Sequence, residues 1–183
     1  MGAKGGMIMQ RLSEKTKEKI ANNLVDFMER DVPLLEETRL FIRNWVGNYD
    51  GSGRRKGYYD VWNIVLSRYL PKERPILFRS CKRLSKLTVQ SFTGEIACAE
   101  RFSDGHKGHI LVCDTKEYLQ FERIDSIGHR LGFFPLHQCI KKARSFDEHC
   151  FSEKFYEVCE KEDEYIVRVS YNWLYDLKWI KGK

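Results

Sequence analysis

Residues 67–79, with the sequence SRYLPKERPILFR, lie where the hydrophobic pattern of the chain changes. Before this segment, apolar residues recur at the three- and four-residue spacings of amphipathic helices. After it, short apolar runs bounded by turn residues are typical of strands. Pro71 and Pro75 lack the backbone N–H that a helix needs, so they separate the two patterns. The sequence therefore predicts an α+β fold with a boundary near residue 70.

The chain before this boundary is expected to form a helical lobe over residues 1–70. Ser13 can cap a first helix, Pro33 fits the first turn of a second, and a third is predicted over residues 58–69. The residues expected to face inward from these helices are Ile20, Leu24, Phe27, Leu34, Thr38, Phe41, Ile42, Trp45, Val61, Trp62, Val65 and Leu66.

The chain after the boundary is expected to form a strand-rich unit over residues 71–183. Strands are predicted over residues 76–79, 87–92, 109–114, 116–123, 165–169 and 173–180. Short helices are predicted over residues 94–102, 136–143 and 148–158. We expect the helical lobe to pack on this unit, so that the two parts form one compact body.

Composition narrows the class of protein. Aromatic residues make up 13% of the 183 residues, which argues against intrinsic disorder. No apolar run approaches the length of about 18 residues that a membrane span needs, and the N-terminus lacks the apolar core of a secretory signal. The six cysteines form no C-x-x-C pair, so neither a zinc site nor a disulfide framework is expected. These features predict a soluble, cytoplasmic protein that uses no metal and binds no membrane.

The net charge of +6 favours an acidic partner, such as a nucleic acid, a nucleotide or an acidic protein surface. The basic residues are spread along the chain, however, and each small cluster by itself is typical of a solvated surface. The chain contains neither a G-x-G-x-x-G sequence nor a Walker A loop. It also lacks H-E-x-x-H and G-x-S-x-G. A bound nucleotide would therefore have to be held by side chains rather than by a glycine-rich loop.

Three short segments carry residues suited to chemistry. Arg79 ends an apolar strand, where a guanidinium needs a carboxylate or a phosphate as its partner. Ser91 and Thr93 alternate along the next strand, so their hydroxyl groups would face the same side. If a strand begins at Glu162, then Glu162 and Glu164 would project from one face about 7 Å apart. Taken singly, each segment also has a plain structural explanation. Arg79 is typical of a salt bridge, Ser91 and Thr93 of the end of a strand, and Glu162 and Glu164 of a charged surface.

Taken together and in this order, the three segments resemble the motifs of the R-S-E class of mono-ADP-ribosyltransferases, in particular the Alt and Mod type enzymes of T-even bacteriophages. The first motif is the arginine that closes residues 67–79. The second is SFTGEIACAERF at residues 91–102, and the third is EDEYIV at residues 162–167. The resemblance covers about residues 64 to 168 in separate pieces. It implies that residues 71–183 form an ADP-ribosyltransferase core of two small antiparallel or mixed sheets.

The resemblance also implies an activity. Enzymes of this class use NAD as a substrate, release nicotinamide and transfer ADP-ribose to an acceptor. A glutamate at the position of Glu162 accompanies arginine acceptors in the family, so arginine side chains of a protein are the expected target. The phage relatives modify host transcription and translation proteins, which makes a host protein, possibly one associated with nucleic acid, the expected partner in the host cell cytoplasm.

Residue roles follow from the same resemblance. Glu164 would hold the ribose 2′-hydroxyl and stabilise the developing cation, and Glu162 would orient and deprotonate the acceptor. Arg79 would clamp a phosphate or the ribose of NAD. Ser91 would position Glu164, and Thr93 would support that strand.

Further contacts to NAD are expected around these residues. Ser80 follows the motif arginine where the family often has glycine, next to the nicotinamide. Phe102 is expected either in the core or stacked on nicotinamide. In the following loop Lys107, and more weakly His106, would approach a phosphate. Phe155 and Tyr156 precede the third motif, where the family has its target-recognition loop, although either is also typical of plain packing.

Three alternatives stay open at the level of sequence. An NAD glycohydrolase would use water in place of the acceptor and needs the same residues except Glu162. An enzyme that transfers ADP-ribose to nucleic acid would suit the positive charge. A basic RNA- or protein-binding module without catalysis would instead use aromatic residues interleaved with Lys and Arg, as Tyr58 and Tyr59 after an Arg-Arg-Lys sequence suggest.

Overall fold

The computed structural model describes residues 12–47, 56–84, 89–103, 105, 107–120, 132–168, 170 and 174–178. Within these residues the chain is α+β, with seven helices and six strands. The helices are α1 (Glu14–Arg30), α2 (Glu36–Gly47), α3 (Lys56–Arg68), α4 (Ile96–Arg101), α5 (Thr115–Gln120), α6 (Leu136–Phe146) and α7 (Glu153–Glu160). The strands are β1 (Ile76–Cys81), β2 (Val89–Thr93), β3 (His109–Asp114), β4 (Gly132–Phe134), β5 (Glu164–Arg168) and β6 (Tyr175–Lys178).

The first helix begins as the sequence predicts, because the Ser13 hydroxyl accepts a hydrogen bond from the backbone N–H of Thr16 at 3.1 Å. The second begins at Glu36 rather than at Pro33. The Asn23 side chain explains the difference, since its amide donates to the Pro33 carbonyl at 3.0 Å and its oxygen accepts from Leu35 N–H at 2.9 Å. These two bonds hold the linker outside the helix.

The described strands form one antiparallel sheet with the order β4-β5-β2-β1-β3-β6, where two small sheets were expected. The join between β1 and β2 is narrow, because among the described residues the register pairs only Phe78 with Thr93. By contrast, β1 pairs with β3 at six positions, and β2 pairs with β5 at five. The sheet therefore consists of two three-stranded halves that meet at one paired position.

A hydrophobic core lies on each face of the sheet. On one face Val89, Phe134 and Ile166 pack with the apolar sides of α1, α2, α3, α6 and α7. On the other face Leu77 and Leu111 belong to a second, smaller cluster. The larger core crosses residue 70, because helices from both sides of that position contribute to it. The helical lobe is thus packed on one half of the sheet.

The segment predicted as a strand over residues 116–123 is instead helical over α5, and residues 121–123 lie outside the described part of the chain. The Asp114 carboxylate accepts hydrogen bonds from the backbone N–H groups of Lys116 and Glu117, at 3.0 and 3.3 Å. Satisfying those two donors starts a helix directly after β3. The prediction was wrong because this cap lies inside what looks like continuous strand sequence.

All six cysteines are free thiols in the structure, and five of them are buried. None of the helices in the described ranges is both long enough and apolar enough to cross a membrane.

Candidate functional site

A cleft of about 720 Å³ opens where the two halves of the sheet meet. Its volume falls within the range of about 300 to 1,000 Å³ typical of small-molecule sites. The lining combines β1, β2, α4, the end of α2 and the segment before β5. The lining residues are Val46, Phe78, Arg79, Ser80, Cys81, Lys82, Ser91, Phe92, Thr93, Cys98, Ala99, Phe102, Glu162 and Glu164. Of the predicted catalytic and NAD-binding residues that the structure describes, all except Lys107 are among them.

Arg79 spans the narrow join in the sheet. Its Nη1 donates a hydrogen bond to the backbone carbonyl of Ser91 at 2.6 Å. Because β1 and β2 pair only at Phe78 and Thr93 within the described residues, the guanidinium satisfies a carbonyl that a longer strand pairing would have used. This contact holds the half-buried Arg79 side chain at the cleft.

The two hydroxyl residues of β2 lie on the same side as Glu164, as their spacing predicts. The register places Thr93 opposite Glu164 and Ser91 opposite Ile166. The Thr93 hydroxyl accepts from Glu95 N–H at 3.2 Å, at the start of α4. The Ser91 hydroxyl is buried and has no hydrogen-bond partner within the described residues. It therefore makes no hydrogen bond to Glu164 and is an unused donor beside the cleft.

Glu164 is instead held by the helical lobe. It is the first residue of β5, 9% of its surface is exposed, and its Oε1 accepts a hydrogen bond from Trp45 Nε1 at 3.0 Å. Trp45 lies on α2 and is completely buried. The periodicity of α2 predicts a core position for Trp45 but gives no sign of this contact. The sequence indicates only that a buried tryptophan at this position needs some hydrogen-bond acceptor for its indole N–H, without indicating which one.

Glu162 reaches the cleft from a different backbone position than expected. The strand begins at Glu164, and Glu162 lies in the turn that follows α7. Asp163, between them, has a φ of 43°, in the left-handed region. The two glutamates therefore do not project from one face of a strand, although both line the cleft.

The α4 helix fixes the turn that carries Glu162. The Cys98 thiol donates to the Glu162 carbonyl at 3.4 Å, and Arg101 donates to the Lys161 carbonyl. Gly94 N–H also donates to the Asp163 carbonyl at 3.4 Å. Residues of the second motif itself thus support the backbone of the third.

The Asp163 side chain lies between Gly94 and His137 of α6. Its carboxylate lies 3.1 Å from Nε2 of His137, whose ring packs against Tyr165 with 4.7 Å between the ring centroids. A Cβ atom at Gly94 would collide with the Asp163 carboxylate, so this position requires glycine unless Asp163 moves. Burial lowers the pKa of His137 below its usual value, against the attraction of Asp163.

The remaining predicted contacts divide into two groups. Ser80 and Phe102 line the cleft, and Phe102 is 54% exposed at its rim. Lys107 is exposed in the loop after α4 and is not part of the lining. Lys82 lines the cleft in its place, although its sequence position had suggested only a surface cluster. His106 lies outside the described residues.

The aromatic pair before the third motif belongs to the core. Phe155 stacks on Phe151 with ring centroids 4.6 Å apart, and Tyr156 is 2% exposed. Arg144 lies over the Tyr156 ring, with 4.8 Å from Cζ to the centroid. Both aromatic residues therefore pack within the protein, the plainer of the two interpretations of their sequence position.

The cleft combines opposite charges in one space. Arg79 and Lys82 come from β1 and its end, whereas Glu162 and Glu164 come from the segment at the start of β5. Such an arrangement suits a ligand that carries an anionic part and a part that is or becomes cationic. Within the described ranges, no group of three or more His, Cys, Asp and Glu side chains is arranged to hold a metal ion.

Comparisons of the chain with protein-family models, with curated proteins and with solved structures give no match. The chemistry of the cleft is therefore inferred from its own residues.

Proposed function

We propose that this protein is an NAD-dependent mono-ADP-ribosyltransferase whose residues 71–183 correspond to the catalytic core of that class. The acceptor we favour is an arginine side chain of a protein, such as a component of a host's transcription or translation machinery. One observation supports the proposal above all. Arg79, Ser91, Glu162 and Glu164, from three distant segments of the chain, line the same cleft.

The charges of the cleft match the reaction. The bond between nicotinamide and ribose C1′ breaks, and the bonding electrons leave with nicotinamide, which becomes neutral. The ribose then carries an oxocarbenium-like charge, as in glycoside hydrolysis. A carboxylate near that centre stabilises the charge, and Glu164 is the buried carboxylate of the cleft.

The second half of the reaction needs a base. A nitrogen of the acceptor guanidinium attacks C1′ and loses one of its protons as the N–C1′ bond forms, so that the ADP-ribosylated arginine keeps a single positive charge. Glu162 lines the cleft and is partly exposed, so it can meet an incoming side chain and take that proton. Its turn is held by α4 rather than being free to move.

The basic side of the cleft suits the rest of NAD. Arg79 and Lys82 can bind the pyrophosphate, and a guanidinium offers a fork of donors that fits phosphate oxygens. The Ser91 hydroxyl offers a further buried donor. The exposed ring of Phe102 at the rim is a surface on which a nicotinamide can stack.

Labelled NAD tests the proposal. The purified protein is incubated with NAD labelled in the adenylate part and with a cell lysate, and both nicotinamide release and the labelled products are measured. We expect nicotinamide release together with labelled protein that hydroxylamine treatment shows to be modified at arginine.

Glu164→Gln should reduce nicotinamide release by about 100-fold or more, because the carboxylate charge is lost. Glu157→Gln, at an exposed position of α7, is the matched control. A Glu164→Gln variant as active as the parent would refute the assignment.

Glu162→Gln separates transfer from cleavage. Without its base the enzyme should still release nicotinamide, but transfer to protein should fall by about 10- to 100-fold more than hydrolysis. Equal loss of both activities contradicts the role of Glu162. In the parent protein, free ADP-ribose as the sole product would indicate a glycohydrolase, and labelled nucleic acid would indicate a nucleic-acid acceptor. The absence of any product would leave a binding module.

A further inference from the structure

We infer that Trp45 is a positioning residue for Glu164, so that the helical lobe sets the geometry of the reactive carboxylate. This inference rests on the proposed function. The two residues are 119 positions apart in the chain, and the indole N–H donates to Glu164 Oε1 over 3.0 Å in a buried environment. The contact joins α2 to the first residue of β5.

The indole is a rigid donor. Trp45 is completely buried and lies edge-on to Tyr59 and to Trp62, with centroid distances of 5.7 and 5.5 Å. A ring packed on these sides cannot rotate its N–H away without disturbing the core. The hydrogen bond therefore fixes one carboxylate oxygen of Glu164, and it leaves the other oxygen to meet a ligand in the cleft.

The donor also has the right charge. A lysine or arginine in this position would neutralise Glu164 and weaken its attraction for a cationic transition state. A neutral indole N–H orients the carboxylate and leaves its negative charge intact. Ser91 on β2 was expected to orient the Glu164 carboxylate, but its hydroxyl has no hydrogen-bond partner within the described part of the chain. Ser91 thus remains available as a donor to the ligand itself.

The alternative explanation is that this is a stabilising hydrogen bond with no effect on reaction geometry, and Trp62 provides the matched control. Trp62 is also completely buried, lies in the same aromatic cluster and contacts Trp45 directly. Its Nε1 is buried without a hydrogen-bond partner among the described residues. Trp62→Phe therefore removes the same atoms as Trp45→Phe but no contact to Glu164.

The test compares steady-state nicotinamide release from NAD by the full-length parent, Trp45→Phe and Trp62→Phe. We expect Trp45→Phe to lower kcat by about 10- to 100-fold with the KM for NAD changed by less than about threefold, because a misplaced reactive group mainly affects the transition state. Trp62→Phe keeps an aromatic ring against Trp45, so it should change neither constant by more than about threefold. Thermal unfolding of each variant shows whether it is folded at the assay temperature.

A second variant covers the case in which Trp45→Phe does not fold. Replacing Trp45 with 3-benzothienylalanine keeps the bicyclic shape and removes only the donor, so it should show the same loss of kcat. Equal kinetic effects at positions 45 and 62, or unchanged kcat in the benzothienyl variant, would overturn the inference while the parent remains active. A parent that releases no nicotinamide would instead overturn the proposed function, and the inference with it.

Discussion

His137 shows how one side chain can make stability depend on pH. Its Nε2 lies 3.1 Å from the Asp163 carboxylate, while its Nδ1 is buried with no hydrogen-bond partner in the described residues. The neutral ring can donate from Nε2 and leave Nδ1 as a bare lone pair. Bringing the charged imidazolium out of water into this buried site costs free energy, and the Asp163 carboxylate and the backbone of Glu164 offset that cost only in part. Burial accordingly lowers the pKa of His137 even though Asp163 pulls in the opposite direction.

The lowered pKa of His137 makes the folded protein less stable at acidic pH. Below about pH 6.5 the unfolded chain takes up a proton at His137 that the folded protein resists, so folding stability falls as the pH drops through this range. We expect His137→Gln to reduce the loss of stability between about pH 7 and pH 5.5. Urea unfolding of parent and variant across this range measures the difference. His149→Gln is the control, because that side chain is 88% exposed. Equal pH slopes for parent and His137→Gln would contradict the expected burial cost.

Single residues also show what the sequence could and could not predict. The spacing of Ser91 and Thr93 predicts their shared face, because strand alternation is local. The contact between Trp45 and Glu164 is not predictable in that way, since it depends on how a helix packs against a distant strand. The choice of Lys82 over Lys107 at the cleft likewise depends on the path of the chain after β1.

At the scale of elements, Arg168 connects β5 to the end of α3. Its side chain is only 1% exposed, and it donates to the carbonyls of Asn63 and Leu66, at 3.1 and 3.4 Å. Both carbonyls lie near the end of α3, and Leu66 is among its last four residues, whose backbone acceptors lack partners within the helix. The positive charge also complements the negative end of the helix dipole. Arg168 looks in the sequence like an ordinary charged residue at the end of a strand. In the structure it caps the C-terminal end of α3 from inside the protein.

Arg168→Met tests this cap. Methionine keeps a long apolar stem but leaves buried carbonyls without their charged donor, so we expect a loss of about 2 to 4 kcal/mol in the free energy of unfolding. Denaturant unfolding measures it. Arg30→Met is the matched control, because Arg30 is 71% exposed and pairs with Asp26 one turn away on α1. It should cost no more than about 0.5 kcal/mol. Similar losses for the two variants would show that Arg168 does not act as a cap.

Element types were predictable where the apolar pattern is long and uniform, as in α1, α3 and β3. They were not predictable where one side chain decides the outcome. The Asp114 carboxylate starts a helix in α5 where a strand was expected. The left-handed Asp163 leaves Glu162 outside β5, which begins at Glu164. Strand β4 was missed because it has only three residues and its pairing with β5 is long-range.

At the scale of the whole molecule, the boundary near residue 70 separates two sequence patterns but not two cores. Phe134 of β4 packs against Trp62 and Tyr69, with ring centroids 5.5 and 5.0 Å apart. Lys142 of α6 donates to the Phe27 carbonyl at 2.7 Å. The helical lobe therefore completes the core of the strand-rich part. Hydrophobic periodicity could predict which faces are apolar, whereas it could not predict which face meets which.

This shared core predicts that residues 71–183 do not fold alone. Removing residues 1–70 would expose the apolar face that Val89, Phe134 and Ile166 present to the helices, and would remove the partner of Glu164 at Trp45. We expect the fragment to bind a hydrophobic dye, to lose near-UV circular dichroism and to unfold without cooperativity. Adding residues 1–70 as a separate chain should restore cooperative unfolding, because the lost surface is recovered by association. A cooperative melt of the isolated fragment would instead mean that the sheet carries a sufficient core of its own, and that α1, α2 and α3 are an attachment to it.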